Sequence, residues 1–363
     1  MLICNNKLNN LLDSPLLSGP NPYNNHQKRS AMKENGCPLE KIMVLPVAFE
    51  SFGVRSMCTY IETPDVKILL DAGVSLGPNR YGFSPHPREY VALKERREAI
   101  IKFAEKADVI TVSHYHFDHH TPSYTDWAYN WCSAEIAEKI YKGKIVLAKS
   151  YKNNINFSQR RRGWLFTKTS GKHASSLEFA DGKSFAFGDT IISFSKPVFH
   201  GPENSNLGWV LMTTIKYGKE RFLFAPDVQG PMVPETLHMI LKEKPDLAII
   251  GGPPTYLSDF RMRRESIALA INNLTIIVKH VSTVILDHHI LRDKNWKSTI
   301  KPVVEAALNV NHRVLTAAEF LGRKNVILEA VRKKLYVDEP PSADFIKWSK
   351  TLSRERKLIP PPL

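Results

Sequence analysis

From residue 44 onward, apolar residues come in short runs separated by turn residues, a spacing that suits strands alternating with helices. VLPVAFE (44–50), SMCTYIE (56–62) and VKILLDA (66–72) read as three successive strands. Residues 87–106 are rich in Glu, Lys, Arg and Ala and open on Pro87, so a helix is expected there. DVITVS (108–113) is a short apolar run that suits a buried strand. In the second half, SFAF (184–187), TIISFSKPVF (190–199), GWVLMTTIKY (208–217) and RFLFAPD (221–227) read as antiparallel strands. A helix at about 234–243, a strand at 246–252, a helix over about 262–280 and a strand at 282–287 follow. Helices are expected over 295–309 and about 316–335. The alternation predicts a layered α/β protein.

The two ends differ from this middle. Residues 1–42 hold eight Asn and show no amphipathic period, which predicts a leader outside the fold. The domain is expected over 43–337, and 338–363, with paired prolines, reads as a tail that is either a surface strap or a frayed end. With 24% charged residues and 43% from the set AVILMFWYC, the composition is globular and excludes a disordered or fibrous chain. No run approaches the roughly 18 apolar residues of a membrane span, and the first twenty residues lack the pattern of a signal peptide. The four cysteines have no paired spacing. They predict reduced thiols, a cytoplasmic location and no membrane.

The chemistry begins at SHYHFDHH. His114, His116, Asp118, His119 and His120 crowd into one loop directly after a strand. Imidazoles this close repel when protonated and are costly to bury unpaired, and a divalent cation resolves both problems. A fortuitous His-rich turn would need neither Asp118 at that position nor the strand before it. GxGxxG and GxxxxGK[ST] are absent, so no dinucleotide or P-loop chemistry competes.

HYHFDH matches the HxHxDH signature of the metallo-β-lactamase superfamily, and LLDAG (69–73) resembles the element that precedes it. The resemblance extends from about Met43 to about Leu335. ESFGVRS, LLDAGVSLGPNRYG and SHYHFDHHTP resemble, more narrowly, an archaeal family of predicted hydrolases with this fold. The resemblance implies a four-layer αβ/βα sandwich of two mixed β-sheets flanked by helices. It also implies further ligands after later strands: His200 in KPVFHGPENS, Asp227 in RFLFAPDVQG, and His288 or His289 in STVILDHHILRD. One metal would be held by His114, His116 and His200. A second would be held by Asp118, His119 and one of His288 or His289, with Asp227 between the two. Asp71 and His120 would steady ligands without touching metal. Relatives that bind redox iron carry a glutamate where this chain has His116, so two zinc ions per chain are implied. Asp118 would then serve as ligand and as orienter of the nucleophile.

The net charge of +14 has one main source: ten basic residues and no Asp or Glu between Lys139 and Lys172. Arg160, Arg161 and Arg162 are the sharpest part, because adjacent guanidiniums suit an anion. Among these cations lie Tyr141, Tyr151, Phe157, Trp164 and Phe166. They read either as faces on which bases stack or as inward positions of short strands whose Lys residues face water. Three functions follow: a dinuclear zinc hydrolase of a small anionic ester such as a phosphodiester, a nuclease using the same site on RNA or DNA, and a non-catalytic protein stabilised by metal. The anionic partner is accordingly a small molecule or a nucleic acid.

Overall fold

The structure of the protein, a computed structural model, describes residues 37–258 and 262–363. The expected leader therefore lies outside the described residues as far as residue 36. The first sheet is built from β1 (Met43–Phe49), β2 (Met57–Glu62), β3 (Lys67–Leu70), β4 (Val109–Val112), β5 (Ile145–Ala148) and β6 (Ser176–Phe179), in that spatial order. β1, β2 and β3 are antiparallel; from β3 to β6 the strands run parallel. The second sheet takes its strands from β7 (Ser184–Phe187), β8 (Thr190–Phe194), β11 (Thr213–Tyr217), β12 (Glu220–Ala225), β13 (Leu247–Gly251), β14 (Thr283–Asp287) and β15 (Arg313–Leu315). Its order is β15-β14-β13-β12-β11-β8-β7, parallel from β12 to β15. Between β8 and β11 lies a short ribbon, β9 (Val198–Phe199) with β10 (Trp209–Val210).

Strand periodicity sorts the side chains into layers. In β12, Phe222 and Phe224 enter the large core that also holds first-sheet residues such as Ile61, Ile68 and Leu69. Leu223 and Ala225, pointing the other way, join a second core under the helices Pro234–Glu243, Arg264–Val278 and Lys301–Leu308. β13 divides alike, with Leu247 and Ile249 inward and Ala248 and Ile250 outward. Strands buried on both faces read as continuous apolar runs. The helices Pro87–Lys106, Ala134–Tyr141 and Phe157–Lys168 belong to the first half, so the layers run helix, sheet, sheet, helix.

Several expected elements are divided. The run 190–199 breaks between β8 and β9 at Lys196–Pro197, and 208–217 breaks between β10 and β11. The expected 295–309 helix is two pieces, Trp296–Thr299 and Lys301–Leu308, with Pro302 in the first turn of the second. Over 316–335 only Ala317–Phe320 and the start of Arg332–Asp338 are helical, because Gly322 takes a φ of 68° and the chain then crosses to pair Val326 with Phe52. The helix Phe157–Lys168 was not expected at all. The boundary at residue 42 also needs correction: Leu39 and Ile42 are buried, and the amides of Glu40, Lys41 and Ile42 donate to the Glu220 carboxylate at 3.0 Å. At the other end, Trp348 is buried against Tyr90, and its indole N–H donates to the carbonyl of Ile359 at 2.9 Å. The C-terminal segment is thus a packed strap. Among the described residues, no helix is long and apolar enough to cross a membrane.

Candidate metal centre

The site lies where the parallel strands end, the edge at which open α/β sheets hold ligands. β3 ends at Leu70, and Asp71 follows with a φ of 51°; beyond β12, Asp227 has 49°; after β14, His288 has 69°. Non-glycine residues in this left-handed region cost about 1–3 kcal/mol each and persist only where surroundings fix them. The fixing groups are visible. Asp287 accepts from the amides of Ser51 (3.2 Å), Ala317 (2.9 Å) and His288 (2.7 Å), anchoring the end of β14. Gly73 explains the glycine of LLDAG: a Cβ there would stand 2.3 Å from the His120 amide nitrogen and 2.5 Å from that of His119. Only a bare backbone lets the exit from β3 pass so close to the histidine loop.

Asp227 is the centre of the cluster. Its Oδ2 lies 3.2 Å from His114 Nε2, 3.3 Å from His119 Nε2, 2.8 Å from His200 Nε2 and 4.0 Å from His116 Nδ1. Its Oδ1 lies 3.1 Å from His288 Nε2 and 3.8 Å from His289 Nδ1. The ligand atoms of His114, His116, His200 and Asp227 fall within 4.8 Å of one another, as do those of Asp118, His119 and His288. His289 groups with Asp227 and His288 and not with Asp118. His119 Nε2, His200 Nε2, Asp227 Oδ1 and His289 Nδ1 are buried without a hydrogen bond. Buried polar atoms are nearly always paired. Four that converge from imidazoles and a carboxylate fit a divalent cation.

Burial pushes the imidazoles of His114, His116 and His289 below their usual range, toward the neutral form that binds metal. Burial acts on His119 in the same sense but is outweighed by Asp227, Asp71 and Asp118, and its pKa is held well above the usual value. His288 is likewise raised against burial, chiefly by Asp227. Burial would raise the carboxyl of Asp227, but His119, His200, His289 and His288 hold it well below the carboxylate range. Asp118 is lowered against burial by His119 and His288. Both carboxylates thus favour the charged form, the form that ligates a cation.

The structure thus brings together His114, His116, Asp118, His119, His200, Asp227, His288 and His289. Asp71 accepts from His119 Nδ1 at 2.7 Å and from the amide and hydroxyl of Ser113, turning His119 Nε2 inward. His120 faces away. Its Nδ1 lies 2.9 Å from the His116 carbonyl, its ring packs among Tyr115, Phe117 and Phe166, and burial lowers it to about 3. The three arginines separate. Arg162 lies over the Phe117 ring at 4.4 Å and feels the charge of Asp118, whereas Arg160 and Arg161 face solvent. Sequence reasoning missed Glu50 and Arg292. Glu50 Oε2 is 3.0 Å from His288 Nδ1, and Arg292 Nε donates to Glu50 Oε1 at 2.7 Å. Arg292 also stands 3.9 Å from Asp118 Oδ2. Each had a local signal: Arg292 falls four residues after His288, and Glu50 opens the ESFGVRS run.

No family model matches the chain. A UPF0282 protein of Methanopyrus kandleri is 45% identical over 296 residues, covering 82% of this chain and 99% of that protein. One from Thermococcus sibiricus is 43% identical over 294 residues, covering 81% and 93%. Among solved structures, the metallo-beta-lactamase fold protein YhfI from Bacillus subtilis is similar at 14% identity, covering 75% of this chain and 90% of that one with a TM-score of 0.44. Tm1679, a metal-dependent hydrolase of the beta-lactamase superfamily, is similar at 11% identity, with coverage of 76% and 96% and a TM-score of 0.43.

Proposed function

The chain belongs to the UPF0282 family and has the metallo-β-lactamase fold, and on that footing we propose that it is a metal-dependent hydrolase whose two-metal centre cleaves an anionic ester such as a phosphodiester. The observation that carries this reading is the placement of Asp227, one oxygen toward His114, His119 and His200 and the other toward His288. In the proposed assignment His114, His116 and His200 hold one cation, Asp118, His119 and His288 hold the other, and Asp227 is common to both. The imidazole-rich set favours zinc. A zinc pair bound there would polarise the ester oxygen and lower the pKa of water toward about 7.

The chain's own groups supply the rest. Asp71 and Glu50 each accept from a ring Nδ1, of His119 and His288 respectively, which fixes the tautomer and turns Nε2 inward. Asp118, with its side chain 15% exposed while Asp227 is closed off, accepts a hydrogen bond from the attacking water and aims it at the ester. Arg162, beside Asp118, attracts the anionic group of a substrate. The test is elemental analysis joined to an assay. Purified protein should hold close to two zinc-class ions per chain, and Asp227→Ala should lose hydrolysis of a chromogenic phosphodiester and retain less metal. Folded wild-type protein that takes up no metal on titration would overturn the reading. Full metal content without turnover of any phosphodiester, lactone or thioester would leave a structural metal instead.

A further inference from the structure

The helix Phe157–Lys168 is fixed between two of the ligand-bearing loops. Gln159 is buried; its Oε1 accepts from the Tyr115 amide at 3.1 Å, and its amide donates to the carbonyl of Leu207. Asn156 caps the helix and donates to the Asn206 carbonyl at 2.7 Å. At Gly163 a Cβ would meet the Tyr115 ring at 2.5 Å. The inner face thus rests on the histidine loop and on the segment that follows His200.

The outer face is different in kind. Phe157, Arg160, Arg161, Trp164 and Lys168 recur every three or four residues and form one stripe. Phe157 is 83% exposed and Trp164 47%. The other aromatics of the basic stretch divide from these two: Tyr141 and Phe166 are buried and Tyr151 is half-buried. Packing therefore accounts for Tyr141 and Phe166 and leaves Phe157 and Trp164 in solvent, with no acidic residue between Lys139 and Lys172.

We propose that this stripe is a docking surface for single-stranded nucleic acid, which it leads to the neighbouring metal centre. The proposal rests on the hydrolase reading and names the substrate class. Seven residues separate the two rings, about 10 Å along the axis, and both arginines stand between them. Bases of an unstacked strand lie on the rings while the guanidiniums take the intervening phosphates. Arg162, on the inner side, receives a phosphate as the strand turns toward Asp118. An anionic membrane suits the stripe less, because interfacial helices present a continuous apolar face and here charge divides the rings.

The test measures binding of a fluorescent twelve-nucleotide oligouridylate by the full chain carrying Asp227→Asn, so that cleavage does not interfere. Adding Phe157→Ala with Trp164→Ala should weaken binding by about thirtyfold or more. Adding Arg160→Ala with Arg161→Ala should lower the slope of log Kd against log salt by about 1.4. Both pairs are exposed, and an unchanged unfolding temperature would show that the fold is intact. Oligouridylate binding that neither pair alters overturns the proposal. So does no binding at 50 mM salt, or capture by phosphatidylglycerol vesicles in place of the oligonucleotide. Failure of the hydrolase reading looks different: the strand binds as described, yet metal-loaded wild type cleaves neither it nor a small phosphodiester.

Discussion

Asp71 is the residue on which the orientation of His119 turns. Its carboxylate accepts at 2.7 Å from the ring nitrogen opposite the one that faces Asp227. Asp71→Asn offers a weaker acceptor and should cut zinc affinity by about 10–100-fold, read by competition with a chelator. Neighbours in sequence are a poor guide to neighbours in space, as the three arginines illustrate. Successive helical residues point about 100° apart, so Arg162 meets Phe117 while Arg160 and Arg161 turn outward. Arg162→Ala should therefore raise KM for a small anionic phosphodiester with metal content unchanged, checked by steady-state kinetics and elemental analysis. The histidine loop was legible because its residues are local. The pairing of Glu50 with Arg292 was not, since the two lie 242 residues apart and no short pattern joins them.

At the scale of elements, β12, β13 and β14 were plain in the sequence as apolar runs, whereas β5, mostly buried, was missed because its four residues lie inside the basic stretch that begins at Lys139. The helix Pro87–Lys106 was legible from its Glu, Lys, Arg and Ala content and the proline at its start. Phe157–Lys168 escaped because its inward side includes Gln159 and Gly163 while Phe157 and Trp164 face out, which inverts the usual pattern. The exit from β3 is a tightly packed junction. Gly73→Ala would drive a methyl group into the amides of His119 and His120. It should destabilise the fold by about 1–3 kcal/mol and loosen metal, seen as a lower unfolding temperature and a weaker zinc isotherm.

Over the whole molecule, distant segments clamp the domain. Arg332 is fully buried against Glu89, with contacts of 2.7 and 2.8 Å, and also donates to the carbonyls of Gly77 and Phe83. Glu89→Gln leaves that guanidinium without its counter-charge and should cost about 3–5 kcal/mol in a denaturant titration. The start of the chain behaves similarly. Leu39 and Ile42 are core residues, and Glu220 receives three successive amides. Removing residues 1–42 should therefore lower the unfolding temperature relative to a cut after residue 36, since burying each large apolar side chain contributes about 1.5–3 kcal/mol. Low apolar content hid this, because two side chains leave no period to read.

The proposed ligands straddle the chain, with His119 in the first half and His288 169 positions later. At about 5–20 residues per second, synthesis separates them by on the order of ten to thirty seconds. During that interval the early histidine loop has neither Asp227 for most of the time nor His288 at any time. A cation arriving then would meet an incomplete set. In the proposed assignment, metal retention would therefore date from the folding of the second sheet, and a loaded centre would mark a chain translated at least through β14.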